Sequence, residues 1–220
     1  MANAIRKTRP AQGRLGRRER RRSQTREKLF RTALRLFAKH GFFETTTEDI
    51  TEAADVGQGT FFNYFPSKQH VLMALFELQL DRVQAARRAA DSEQTSVKTV
   101  LRQLARSIGE EPGRSAALTR SLLIAFLSSD IVRESAARML RAARKTLTGI
   151  MLVGQQRGEL RQDAKASELA AVYQKRVLGS MLFFALQEGS LAAELDQMFK
   201  HFWAEAAAPA AKNRSRDAGH

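Results

Sequence analysis

Residues 41–68 read GFFETTTEDITEAADVGQGTFFNYFPSK, and the fold follows from where this stretch lets a helix stop and start. Gly41 adopts a positive φ at little cost, which suits the end of a helix running up to His40. Thr46 with Asp49 three residues on has the form of a capping box. Ile50, Ala53 and Ala54 then give the helix it opens an apolar stripe at i, i+3 and i+4. Asp55-Val56-Gly57 predicts a tight turn with Val56 inward, because Asp tolerates the left-handed region and Gly57 can cap a second helix over 58–65. Pro66-Ser67-Lys68 ends that helix. Two short helices joined by a three-residue turn and buttressed by a longer one make a helix-turn-helix, a motif whose second helix enters the DNA major groove.

On the N-terminal side, residues 23–40 form the buttress. Leu29, Phe30, Ala33, Leu34, Leu36 and Phe37 supply an apolar face at helical spacing, and Phe42 and Phe43 complete a small core. Residues 1–22 carry nine Arg or Lys against one Glu, so +8 of the net +14 lies there. With Pro10, Gly13 and Gly16 and almost no apolar residue, they are expected to be a disordered basic arm rather than a domain. A solvated tail is the plain reading; just before a DNA-binding helix, tracking of phosphates or entry into a minor groove is favoured.

On the C-terminal side the pattern is helical throughout. Prolines fall only at 10, 66, 112 and 209, and no stretch alternates with the period of a strand, so the chain is expected to be all-α. Helices are predicted over 67–90, 95–108, 115–128, 130–157 (capped by Asp130), 167–187 and 191–206, followed by a disordered tail over 207–220. The domains are therefore a basic arm (1–22), a helix-turn-helix domain (23–68), a helical domain (69–206) and the tail.

Composition narrows the chemistry. A hydrophobic share of 43% supports a packed core, and the net charge of +14 points to a polyanionic partner, nucleic acid first. The absence of cysteine excludes disulfides and thiol catalysis and fits a reducing cytoplasm. No apolar run approaches the ~18 to 20 residues of a membrane span, and the basic N-terminus lacks the apolar segment of a signal peptide. His40, His70, His201 and His220 are scattered, so no metal site or cofactor is expected, and no P-loop or paired acid/base motif supports an enzyme.

The string from Thr46 to Lys68 resembles the DNA-binding domain of the TetR family of bacterial transcriptional regulators. The likeness is carried by Thr46, Ile50, Ala53, Val56, Gly59, Thr60, Tyr64, Phe65 and Lys68, and the run GTFFNYFPSK is its most specific part. Thr51 stands where the family usually has Ala, Asp55 where it has Gly, and Phe62 where a Tyr is frequent. The resemblance implies a homodimer acting on a palindromic double-stranded operator in the cytoplasm, bound to the nucleoid, and released by a small-molecule effector. A nonspecific nucleic-acid binder without an effector is the alternative.

Roles within the motif follow from side-chain chemistry. Gln58 can pair bidentately with adenine; Thr60 suits a phosphate or a thymine methyl. Gly59 allows close approach, Phe62 can pack on sugars or methyls or else join the core with Phe61 and Phe65, and Tyr64 can donate to phosphate. Thr46 and Thr47 are placed for phosphate contacts, and Lys68, at a helix start, to hold a phosphate with the local N–H groups. In the helical domain, the resemblance implies an effector cavity, with Met73, Phe76, Leu104, Phe126, Met139, Leu147, Met151 and Tyr173 as candidate lining, and Tyr173, Gln174 and Arg176 as polar groups able to orient a ligand. It also implies a dimer face, for which Val172, Gly179, Phe183, Leu195, Phe199 and Phe202 are the candidates, Gly179 through close helix approach and the others through apolar area.

Overall fold

The computed structural model describes residues 12–187 and 189–209. Among them the chain is helical, with no strand beyond an isolated bridge between Leu160 and Ala207. It divides into two compact units, Met1–Val71 and Leu72–His220, so the boundary falls at Val71 rather than at residue 68.

The first unit holds α1 (Gln12–His40), α2 (Thr47–Ala53) and α3 (Gln58–Phe62). The first helix starts at Gln12, not at 23. Arg is among the better helix formers, and local bonds extend the helix backwards, with Arg20 Nε donating to Gly16 O and Thr25 Oγ1 to Arg21 O. The expected arm is thus helical over 12–22, and its residues 1–11 lie outside the described residues. The helix stops at Gly41, whose φ is 91°, and its N–H closes the last turn on Phe37 O. The turn between α2 and α3 has Asp55 at φ 49° and Gly57 as the N-cap of α3. The last helix is shorter than expected, ending at Phe62 instead of 65, but Phe65 N–H still donates to Phe61 O and keeps its ring in place. Leu29, Phe30, Phe37, Phe42, Ile50, Phe61 and Phe65 form the core of the unit. Two expected members are outside it: Phe43 is 48% exposed and Ala53 is exposed. Thr51 is buried instead, and its hydroxyl donates to Glu48 O, so a hydroxyl in an Ala position costs no unpaired donor.

The second unit continues α4 (Lys68–Asp91) and adds α5 (Val97–Gly109), a 3-10 turn (Pro112–Arg114), α6 (Ala116–Ser128), α7 (Asp130–Gln156), α8 (Ala166–Leu186) and α9 (Leu191–Ala206). Serines cap most of these starts: Ser96, Ser115 and Ser190 each accept the N–H three residues on. The cap position of α7 is Ser129, and Asp130, expected as the cap, is the first helical residue, paired with Arg133. α8 lies among α6, α7 and α9, and α5 packs on α9 so closely that a Cβ on Gly109 would fall 2.5 Å from Leu195 Cδ1. By length and composition alone α8 could cross a membrane, which corrects the reading that no run is apolar enough. Here it is a core helix that buries Leu169, Tyr173, Val177 and Phe184. The tail is held at its start, where Ala208 N–H donates to Glu159 O; residues 210–220 lie outside the described residues.

Candidate nucleic-acid interface and ligand cavity

The helix-turn-helix begins with a complete capping box. Asp49 N–H donates to Thr46 Oγ1 at 3.1 Å, and Thr46 N–H donates to Asp49 Oδ2 at 2.8 Å. That backbone N–H, then the Thr46 side chain, hold the Asp49 carboxyl below its usual pKa. Thr46 is exposed at the start of α2, with its hydroxyl engaged in the capping box. Thr47 is half-buried, with its hydroxyl donating to Glu48 Oε2.

On α3 the inward anchors are Phe61 and Phe65, at 0% and 1% exposure, whereas Phe62 is 49% exposed. Gln58 and Gly59 are exposed as well, and a Cβ on Gly59 would meet nothing within 4 Å. Thr60 and Tyr64 are half-buried at the edges of this face. Gln58 Nε2 donates to Glu48 Oε1 at 2.9 Å, a link that pre-orients the amide and must be exchanged if the amide is to reach a base.

Lys68 has a different place from the one its position suggested. Its ammonium donates to Phe42 O, Phe43 O and Thr45 O, each at 2.9 Å, and lies 5.0 Å from the Phe42 ring centre. Three N–H donors meet three carbonyls, so none is left for a phosphate. Burial, only partly opposed by Glu44, holds its pKa below the ordinary lysine value. Lys68 therefore fastens the 41–45 loop. Thr45, whose hydroxyl donates to Gly41 O, is the other half of that fastening and was not singled out by sequence reasoning.

In the second unit, α4 to α8 enclose a cavity of ≈ 110 Å³. Five of the expected lining residues face it: Phe76, Phe126, Met139, Leu147 and Tyr173. Leu104 and Met151 do not. Both are 2% exposed or less within the main core, on faces of α5 and α7 turned towards other helices. Met73 is not in the lining either. The polar groups expected to orient a ligand are committed elsewhere. Tyr173 Oη donates to Leu101 O at 2.6 Å, and burial pushes the phenol pKa far above its ordinary value. Gln174 donates to Leu140 O and accepts from Arg144 Nε. Arg176 is absent from the lining and pairs with Glu205. Gln79 and Thr119, which do line the cavity, escaped the sequence reading. Gln79 could have been found, since it falls on the apolar face Leu72–Leu75–Phe76–Val83, where a polar residue is out of place.

The dimer candidates divide. Leu195, Phe199 and Phe202 are 1%, 3% and 1% exposed. They fill the core of the chain itself, Phe202 edge-on to Tyr173 at 5.3 Å. Val172 and Phe183 are exposed on α8, with Leu182 and Leu186 on the same side, and a Cβ on Gly179 between them would meet nothing within 4 Å.

Residues 29–75 match the family of bacterial regulatory proteins, tetR family. The chain is 31% identical to Thermus thermophilus FadR, described as a TetR-family transcriptional repressor in complex with lauroyl-CoA. The likeness covers 80% of this chain and 92% of that one, with a TM-score of 0.55.

The chain belongs to the TetR family.

Two further likenesses are more local. The HTH-type transcriptional repressor KstR of Rhodococcus jostii is 26% identical over 108 residues, 48% of this chain and 51% of that protein. The HTH-type transcriptional regulator TcmR of Streptomyces glaucescens is 45% identical over 58 residues, 26% of each. The chain thus spans about half or less of the length of these two relatives.

Proposed function

We propose that this TetR-family chain is a homodimeric, sequence-specific DNA-binding repressor that acts in the cytoplasm and is released from its operator by a small, largely apolar effector. The observation that carries the reading is α3. Phe61 and Phe65 fix the helix from inside, and Gln58, Gly59 and Phe62 stand in solvent where a major groove would meet them. Thermus thermophilus FadR, a repressor, supports the direction of control, and the apolar lauroyl chain of its ligand supports an apolar lining for the cavity.

A palindrome is read when two copies place their α3 helices about 34 to 36 Å apart, one helical turn of DNA. The exposed α8 face of Val172, Leu182, Phe183 and Leu186 supports pairing, since it is apolar and Gly179 leaves room for a second backbone. An effector that binds the cavity only when the α3 spacing departs from that value shifts the population off the operator. Nuclease footprinting tests the reading. A short protected palindrome that is lost on addition of an apolar effector supports it, and even protection of any sequence contradicts it.

A further inference from the structure

A residue that lines the cavity in the second unit has a polar atom left over. Gln79 is 8% exposed and lines the cavity from α4. Its Nε2 donates to Ile108 O at 3.3 Å, whereas its Oε1 is buried with no hydrogen-bond partner among the described residues. The orientation of the amide is fixed by chemistry: a main-chain carbonyl accepts only a donor, so the NH2 end must face Ile108 and the oxygen must be the free end. The other polar residues of the lining are spent on protein carbonyls, Thr119 on Pro112 O, Tyr173 on Leu101 O and Gln174 on Leu140 O. Among the described residues, no Lys, Arg or His side chain lines the cavity.

We propose that the cavity selects an uncharged, mostly apolar ligand that presents a hydrogen-bond donor, an alcohol or phenol hydroxyl or an N–H, to Gln79 Oε1. This rests on the reading of the cavity as an effector site. A buried acceptor left unsatisfied costs free energy, so a ligand that brings a donor recovers it, and one that brings only lone pairs does not. Carboxylates and ketones meet the Gln79 oxygen lone pair to lone pair, and an anion finds no cation among the described lining residues. At ≈ 110 Å³ the cavity is smaller than the apolar cavity of about 150 Å³ that takes up benzene, so it suits only a compact group.

Phenol and toluene test this, because they differ in the exchange of a hydroxyl for a methyl and toluene is the more hydrophobic. Titration calorimetry on the full chain is expected to show phenol binding at least as tightly as toluene. Gln79→Met is expected to lower the phenol-to-toluene affinity ratio by about tenfold, the worth of one hydrogen bond. If Gln79→Met does not fold, anisole replaces it as the control on the unaltered chain, and it is expected to bind about tenfold more weakly than phenol. Toluene bound more tightly than phenol, or a ratio unmoved by the substitution, overturns the role of Gln79 and leaves the effector cavity standing. Failure of all three compounds to bind overturns both.

Discussion

The ammonium of Lys68 donates to Thr45 O at 2.9 Å, and the Thr45 hydroxyl donates in turn to Gly41 O at 2.7 Å. Together they tie the start of α4 to the loop that delivers α2, so a residue in the position of a phosphate ligand serves the geometry of the motif instead. Replacing the cation leaves three carbonyls without their donor. Lys68→Met is therefore expected to lower stability by about 2 kcal/mol, read from urea denaturation. It is also expected to leave the salt dependence of DNA binding unchanged, because the ammonium neutralises no phosphate. A salt slope reduced by one unit would return Lys68 to the DNA surface.

Gln58 separates base reading from general attraction. Gln58→Ala is expected to weaken binding to a selected operator by about 1 to 3 kcal/mol, with little change on random DNA or in salt slope. Equal weakening on both DNAs would remove Gln58 from base readout.

The N-terminal charge acts in the opposite way. Deleting residues 1–22, nine of them Arg or Lys, is expected to weaken operator and random DNA by similar factors. It should also flatten the salt dependence by roughly one unit for each phosphate that is no longer neutralised. Unchanged affinity and slope would make this segment a solvated extension.

Much of this was legible before the structure, and the misses have a common cause. Gly41, the Thr46–Asp49 box and the Asp55 turn are local features whose conformations depend on neighbouring residues, and each is found where its chemistry puts it. Lys68 and Leu195 went astray because their partners lie far along the chain: Phe42 for the first, and for the second Gly109, whose missing Cβ admits its side chain. An apolar pattern marks which helix face is buried but not whether the same subunit or another covers it. Phe199, Phe202 and Phe183 look alike in sequence, yet of the three it is Phe183 that is exposed.

That difference gives a prediction on assembly. Gly179→Trp fills open space on the α8 surface without touching its own subunit, and Phe183→Glu puts a charge on the same face. Both are expected to yield a folded protein of monomer mass by light scattering, whereas the unaltered chain gives a dimer. Phe199→Glu should instead unfold the subunit, since Phe199 is in the core. A dimer retained by both surface variants would place the interface elsewhere.

Acid should loosen the protein through specific carboxylates. Asp196 accepts from Arg106 Nε and Nη2 at 2.7 Å each, and this hydrogen bonding holds its pKa below the usual aspartate value. A carboxyl with a depressed folded pKa contributes its stability above the unfolded value, and loses it as pH falls through the folded one, because the unfolded chain binds the proton more readily. Melting temperature is therefore expected to fall as pH drops below about 4, the unfolded aspartate value, with a shallower fall in Asp196→Asn. An identical profile in the variant would show that the pair carries no acid sensitivity.

Two copies of α3 are proposed to read one palindrome. Selection of bound sequences from random DNA, using the full chain, tests it most directly. An inverted repeat is expected, its half-sites centred about 10 base pairs, or a multiple of that, apart. Recovery of unrelated sequences with no shared repeat would contradict it.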